Sequence, residues 1–351
     1  MRPIRRPDIG EGAKRAQRDA MNQIPLYPLR FEPIYQYRPW GGRSLAKLLS
    51  AALPGNNPIG ESWVLSDRDD QSSVIVNGAL KGQTLGELLE QWPEKLLGDR
   101  VKRFRRFPLL LKFLDVRGAL SVQVHPSDAQ TAYLPAGESG KTEAWVVMEA
   151  GPEGRVYAGL ISNTSSVTLR EALAKGAVAD HLAFFRPKPG DGIFIPAGTV
   201  HSIRDAVIFE VQENSDVTLR LYDWNNVDAK THQLRPLQVE EALACIDFSQ
   251  GVVGPVIPVV EEEKPVLRER LFDCPHFGLW RLRSESPFTV GAIGTPRVLV
   301  CIGGEGHVNY DGADYYCGKG DVLLLPAVVG ACLCQPHGSI SLLEISLPEG
   351  K

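Results

Sequence analysis

Residues 189–203, "PGDGIFIPAGTVHSI", and 319–333, "KGDVLLLPAVVGACL", align without a gap. Gly190 matches Gly320, Asp191 matches Asp321, and Pro196 matches Pro326. Gly-Asp opens a turn, four residues form a short strand, and proline ends it. This turn–strand–turn unit belongs to one edge of a double-sheet jelly roll, so two copies predict two β-barrels in tandem. The copies differ at one telling place: His201 in the first is Ala331 in the second. A polar inward residue kept in only one copy predicts a site in the N-terminal barrel and a structural role for the C-terminal one.

The remaining sequence agrees with a mainly β chain carrying a few short helices. Short apolar or alternating runs recur, among them "SSVIVNG" (72–78), "EAWVVMEA" (143–150), "AVIFEVQ" (206–212), "VTLRLYDW" (217–224) and "RVLVCIGGEGHVNY" (297–310). The 34 glycines and 26 prolines of the 351 residues supply the turns between them. Helical patterns occupy 84–99, which opens on a Thr84/Glu87 capping box, 165–182, and 235–247 as a connector. The proline- and charge-rich 252–265 reads as a linker. The implied division is a basic, disordered extension over 1–24, in which Met21 is an alternative start, a metal-binding domain with helical segments over 25–248, and a second barrel without a metal site over 249–351.

Composition narrows the function classes. Hydrophobic residues make up 43% and charged residues 23%, and the net charge is -4, so nothing calls for nucleic acid as a partner. No apolar run approaches the roughly 18 residues that cross a bilayer. The N-terminus lacks the apolar centre of a secretory signal. Six cysteines, none in a C-x-x-C pair, read as free thiols in a reducing cytoplasm. The sequence carries no signature of an oligomeric state.

"SVQVHP" (121–126) supplies the first chemistry. Residues two apart on a strand share a face, so Gln123 and His125 lie side by side while Val122 and Val124 face away. Glu143 precedes an apolar strand, and His201 ends its turn. One histidine, one glutamate or one glutamine alone is most simply a hydrogen-bonded residue. As a set, two imidazoles, a carboxylate and an amide make four ligands without thiolate, which suits zinc or a similar first-row ion. Glu210 and Gln212 also share a face. Asp216 and Arg220 read either as a surface ion pair or as a cation entering a pocket to meet an anion. Lys141 points inward if the face of Glu143 continues. Lys112 and Ser121 could meet a phosphate, or be a surface lysine and a buried hydroxyl.

Four motifs in order, "LLLKFLDVRGALSVQVHPSD" (109–128), "GKTEAWVVMEA" (140–150), "GIFIPAGTVHSI" (192–203) and "EVQENSDVTLRLYDW" (210–224), resemble the type I mannose-6-phosphate isomerases, also called phosphomannose isomerases. "YRPWGGRSL" (37–45) and "IGESWVLSD" (59–67) are similar to the N-terminal signature of that family. The likeness runs from about residue 25 to the end and is strongest to the shorter bacterial members. It implies a fold of two tandem cupin-type jelly-roll barrels and one Zn²⁺ per chain on Gln123, His125, Glu143 and His201. It further implies Arg220, Lys141, Glu210 and Asp216 as catalytic residues, with Ser121 and Lys112 holding phosphate. The implied reaction interconverts mannose 6-phosphate and fructose 6-phosphate by moving a proton between C1 and C2 through a cis-enediol, with Glu210 or Lys141 as the base. Leu219 replaces the family's usual aromatic before the arginine, and the basic extension lies outside its pattern. A cupin oxygenase, another sugar-phosphate isomerase and a sugar-sensing cupin are the alternatives at this point.

Overall fold

A computed structural model of the chain describes residues 26–69, 71–228 and 231–348; the extension read as disordered lies outside them. The two sequence repeats become the strands Gly192–Ile195 and Val322–Leu325, each paired antiparallel to a long strand, Glu143–Leu160 in one case and Arg297–Tyr310 in the other. Their turns are built alike. Gly190 and Gly320 sit at φ +90 and +93, where a side chain would be strained. Asp191 Oδ2 accepts from Lys188 N, and Asp321 Oδ2 accepts from Gly318 N, both at 2.8 Å. Gly190 N donates to Val147 O and Gly320 N to Cys301 O, again both at 2.8 Å. Val147 and Cys301 are therefore equivalent positions.

Each repeat belongs to one large antiparallel sheet. The first has nine strands between Ile34 and Tyr222, and the second has eight between Val259 and Ser346. The largest apolar core lies where they pack together. Phe113, Val207 and Phe209 of the first sheet and Leu279, Val300 and Ile345 of the second share one buried cluster, together with Phe277 just before the strand Gly278–Ser284. A separate core inside the second sheet is filled by Leu299, Cys301, Cys317, Leu323, Cys332 and Cys334 among others. All six thiols are free, and five are buried. The equivalence of Val147 and Cys301 puts Arg297 where the first sheet has Glu143; Ala331 stands where it has His201.

Three helical patterns form helices: Leu85–Gln91 with Pro93–Leu97, Ser166–Ala174, and Val239–Cys245. The capping box closes as read, with Glu87 N donating to Thr84 Oγ1 (3.1 Å) and Thr84 N to Glu87 Oε2 (2.8 Å). Two readings need correction. Val259–Glu262, within the expected linker, is an edge strand on Leu267–Asp273; paired carboxylates there protect an open sheet edge from further pairing. "SSVIVNG" forms no continuous strand, only the end of a two-residue ladder and single bridges at Val74 and Ile75. None of the described helices is long and apolar enough to cross a membrane.

Candidate active site

The site lies on the first sheet where several strands end together. His201 opens the strand His201–Glu213 and sits opposite Gln123 of Val122–Val124. Glu143 opens the strand Glu143–Leu160, opposite Gln212. Alternation does the sorting: Val122 and Val124 enter an apolar cluster while Gln123 turns into the cavity.

Both imidazoles are oriented by backbone carbonyls. His125 Nδ1 donates to Val217 O (2.7 Å), and His201 Nδ1 donates to Thr199 O (2.9 Å). Their Nε2 atoms therefore carry lone pairs, and burial lowers both pKa values, most strongly for His125. Those lone pairs face a carboxylate. His125 Nε2 is 3.5 Å from Glu143 Oε2, and His201 Nε2 is 3.3 Å from Oε1. The Gln123 amide lies 3.1 Å from His201 Nε2 and can turn either its oxygen or its nitrogen that way.

Glu143 is fully buried, its Oε2 is held by the Lys141 ammonium at 2.6 Å, and its Oε1 has no hydrogen-bond donor. That ammonium serves one side of the group, lying also 3.2 Å from His125 Nε2. On the other side Glu143 Oε1 and the His201 Nε2 lone pair face each other, and buried acceptors so placed repel one another unless a cation lies between them. The donor set fits a divalent first-row ion, with nitrogen and oxygen ligands whose outer hydrogen bonds already set the imidazole tautomers.

Beside this cluster is a cavity of about 270 Å³, at the small end of ligand sites. Lys141, Glu210, Asp216, Arg220, Lys112 and Ser121 all line it. Lys141 Nζ lies 2.6 Å from Glu143 Oε2, 3.6 Å from Glu210 Oε1 and 3.2 Å from His125 Nε2. Burial alone would lower the pKa of Lys141, but Glu143 and Glu210 overcome it and hold the ammonium well above its usual range. Glu210 behaves oppositely: burial, then the charge of Glu143, pushes its carboxyl up to about 7.

Two local readings change, those of Asp216 and Lys112. Asp216 pairs with Lys112 (3.3 Å) instead of forming a surface pair with Arg220. Lys112 is buried in the cavity wall, not a surface lysine. Arg220 donates through one guanidinium nitrogen to Pro236 O (2.9 Å), while its buried Nε has no partner.

Further residues complete the wall. Glu61 accepts from Arg38 (2.8 and 3.1 Å) and Trp63 Nε1 (2.7 Å), with Lys112 Nζ 3.9 Å away. Arg235, clamped by Asp223, lines the cavity beside Arg220. Sequence reasoning gave these no role. One usable signal was Glu61, a carboxylate within the wholly buried strand Ile59–Leu65.

Comparison with known proteins decides the family. Residues 29–143 match the model for "Phosphomannose isomerase type I, catalytic domain". The mannose-6-phosphate isomerase ManA of Bacillus subtilis is 33% identical over 320 residues, covering 86% of this chain and 94% of that protein. The chain belongs to the type I phosphomannose isomerases. This phosphomannose isomerase is thus an aldose–ketose isomerase of a metal-dependent family. It is 31% identical to the mannose-6-phosphate isomerase of Streptococcus mutans, over 86% of this chain and 93% of that one. Its fold matches the crystal structure of the Bacillus subtilis mannose 6-phosphate isomerase with a TM-score of 0.84 at 26% identity, over 92% of this chain and all of that one.

Proposed function

We propose that this isomerase interconverts mannose 6-phosphate and fructose 6-phosphate by proton transfer between C1 and C2 through a cis-enediol. The observation that carries the reading is the fully buried Glu143 carboxylate, held on one side by the Lys141 ammonium and faced by the Nε2 lone pairs of two imidazoles, beside a small cavity lined with acid, base and cation. We assign Gln123, His125, Glu143 and His201 as ligands of one Zn²⁺ per chain. Nitrogen and oxygen donors without thiolate suit that ion as they suit other divalent first-row metals, and the family resemblance selects zinc. When bound, the metal supplies Lewis-acid polarisation of the open-chain carbonyl.

The chain's own groups divide the remaining work. Glu210 is the proposed base: its carboxyl lies in the cavity wall and is poised near neutrality, where proton uptake and release are both accessible. Lys141, held protonated, cannot remove a proton and is assigned as a donor to a substrate oxygen. Arg220 is assigned to stabilise the enediolate, because a permanent cation with a free Nε–H supplies preorganised charge. Asp216 fixes Lys112. For the phosphate, Ser121 and Lys112 are proposed on their place in the cavity wall; Lys112 already offsets Glu61 and Asp216, so it attracts an anion less than its formal charge suggests. The six unpaired thiols support a reducing, cytoplasmic compartment.

The test is a coupled assay with mannose 6-phosphate before and after chelation, with metal analysis on the same sample. Fructose 6-phosphate should form in step with bound zinc, vanish on chelation and return when zinc is restored. Full turnover by metal-free enzyme would reject the metal assignment.

A further inference from the structure

The second sheet, in which no metal-ligand set of its own occurs among the described residues, sends one side chain toward the site. Its strands Leu267–Asp273 and Gly278–Ser284 are joined by the turn Cys274-Pro275-His276-Phe277, closed by Cys274 N donating to Phe277 O (3.1 Å). His276 Nδ1 lies 2.9 Å from Glu213 Oε1, at the end of the strand that begins with His201. Glu213 is 8% exposed. Its other oxygen accepts from Thr142 N (2.7 Å), and Glu213 N donates back to Thr142 O (3.2 Å). Thr142 lies between Lys141 and Glu143.

Three successive backbone N–H groups of the segment carrying those two residues are each anchored. Gly140 N donates to Asp128 Oδ1 (2.7 Å), Lys141 N to Pro126 O (3.0 Å), and Thr142 N to Glu213. Of the three, only Glu213 is itself gripped from the second sheet. A carboxylate with each oxygen on a donor from a different element has little freedom to rotate. Without the imidazole, Oε1 would face the adjoining cleft of about 660 Å³, from which water could replace it. The ligand atoms of Asp128, Glu213 and His276 also lie within 4.8 Å of one another. Both Glu213 oxygens already accept hydrogen bonds and Asp128 Oδ1 accepts from Gly140, so hydrogen bonds alone account for the cluster as a brace.

We propose that His276 is a positioning residue for the active site. By orienting Glu213 it fixes the backbone at Thr142, and with it the direction from which Lys141 and Glu143 enter the cavity. The inference rests on the roles proposed above for Lys141 and Glu143.

The experiment compares His276→Ala and His276→Asn in the full-length zinc enzyme. Asparagine keeps an N–H close to the place of Nδ1. The readouts are release of metal to excess chelator, kcat, KM and the unfolding midpoint. His276→Ala should fold and keep its KM, yet lose metal faster and turn over more slowly by about tenfold, the low end for groups that orient ligands, while His276→Asn should recover most of this. Wild-type metal release and kcat in His276→Ala would overturn the proposal. An equal defect in both variants would also overturn it, leaving His276 a packing residue. If His276→Ala does not fold, Glu213→Gln decides by the same readouts: the same loss supports the brace, and wild-type values overturn it. Metal-independent turnover by the wild type would sink the metal assignment instead; the brace is then judged on kcat alone, through Lys141.

Discussion

Replacing Lys141 with methionine isolates the charge balance of the site. The ammonium stands between two carboxylates, 2.6 Å from Glu143 and 3.6 Å from Glu210, and all three groups are buried. Methionine keeps most of the volume and removes the charge, so cavity formation contributes little. Removing one partner of a buried pair costs roughly 3–5 kcal/mol. Here the cost is limited because Glu210 can take up a proton. Its carboxyl already stands at about 7 with Lys141 present, and loss of a neighbouring cation raises it further. A folded pKa above the unfolded value gives stability that is complete below the unfolded pKa and is lost as pH rises through the folded one. The metal-free variant should therefore trail the wild type by about 3 kcal/mol at pH 8 and by much less at pH 5. Zinc should narrow the gap, since a cation that binds the folded state replaces the missing charge. Denaturant unfolding at both pH values, with and without zinc, measures this. In the zinc-loaded form kcat should fall by about 10²–10³-fold, as for loss of one preorganised donor. A gap independent of pH and of metal would refute the account of Lys141 as the local counter-charge, and wild-type kcat would refute its assignment as a donor.

His201→Ala should abolish bound metal and turnover together while far-ultraviolet circular dichroism stays that of a β-protein; metal retained at full stoichiometry would remove His201 from the ligand set. Arg220→Ala should lower kcat by about 10²-fold or more with metal content unchanged, and parallel loss of both would mean that the arginine holds the structure together. Glu61 gives an acid-side prediction. Burial alone would raise its pKa, but Lys112 and Arg38 hold the carboxyl down at about 2 against an ordinary 4.5. A depressed folded value stabilises above the unfolded pKa, and that contribution is lost as pH falls from about 4.5 toward 2, about 3 kcal/mol in all. Glu61→Gln should flatten the wild type's loss of stability across that window, as followed by denaturant titrations; an unchanged slope would mean that the Arg38 and Lys112 contacts do not persist in solution.

Much of the site was legible because strand alternation is local. "SVQVHP" read as a strand puts Gln123 and His125 on one face, although the strand itself ends at Val124 and the Val217 carbonyl orients His125, and the repeat identifies His201 by contrast with Ala331. The helices were legible for the same reason: the Thr84/Glu87 box spans three residues and needs nothing distant to close. Period-two patterning says which face a side chain takes. It does not say which strand lies alongside.

The sequence alone therefore determined the β architecture, the duplicated turn and the candidate ligand set. Tertiary structure decided the partners. Asp216 went to Lys112, 104 residues away, and not to Arg220 four residues on, because the strand Leu109–Ala119 packs beside His201–Glu213 and delivers its lysine into the same cavity. Arg38 met Glu61 and His276 met Glu213 in the same way. Charges attract whatever is nearest in space, and sheet order and register, which follow from packing the whole core, set that distance.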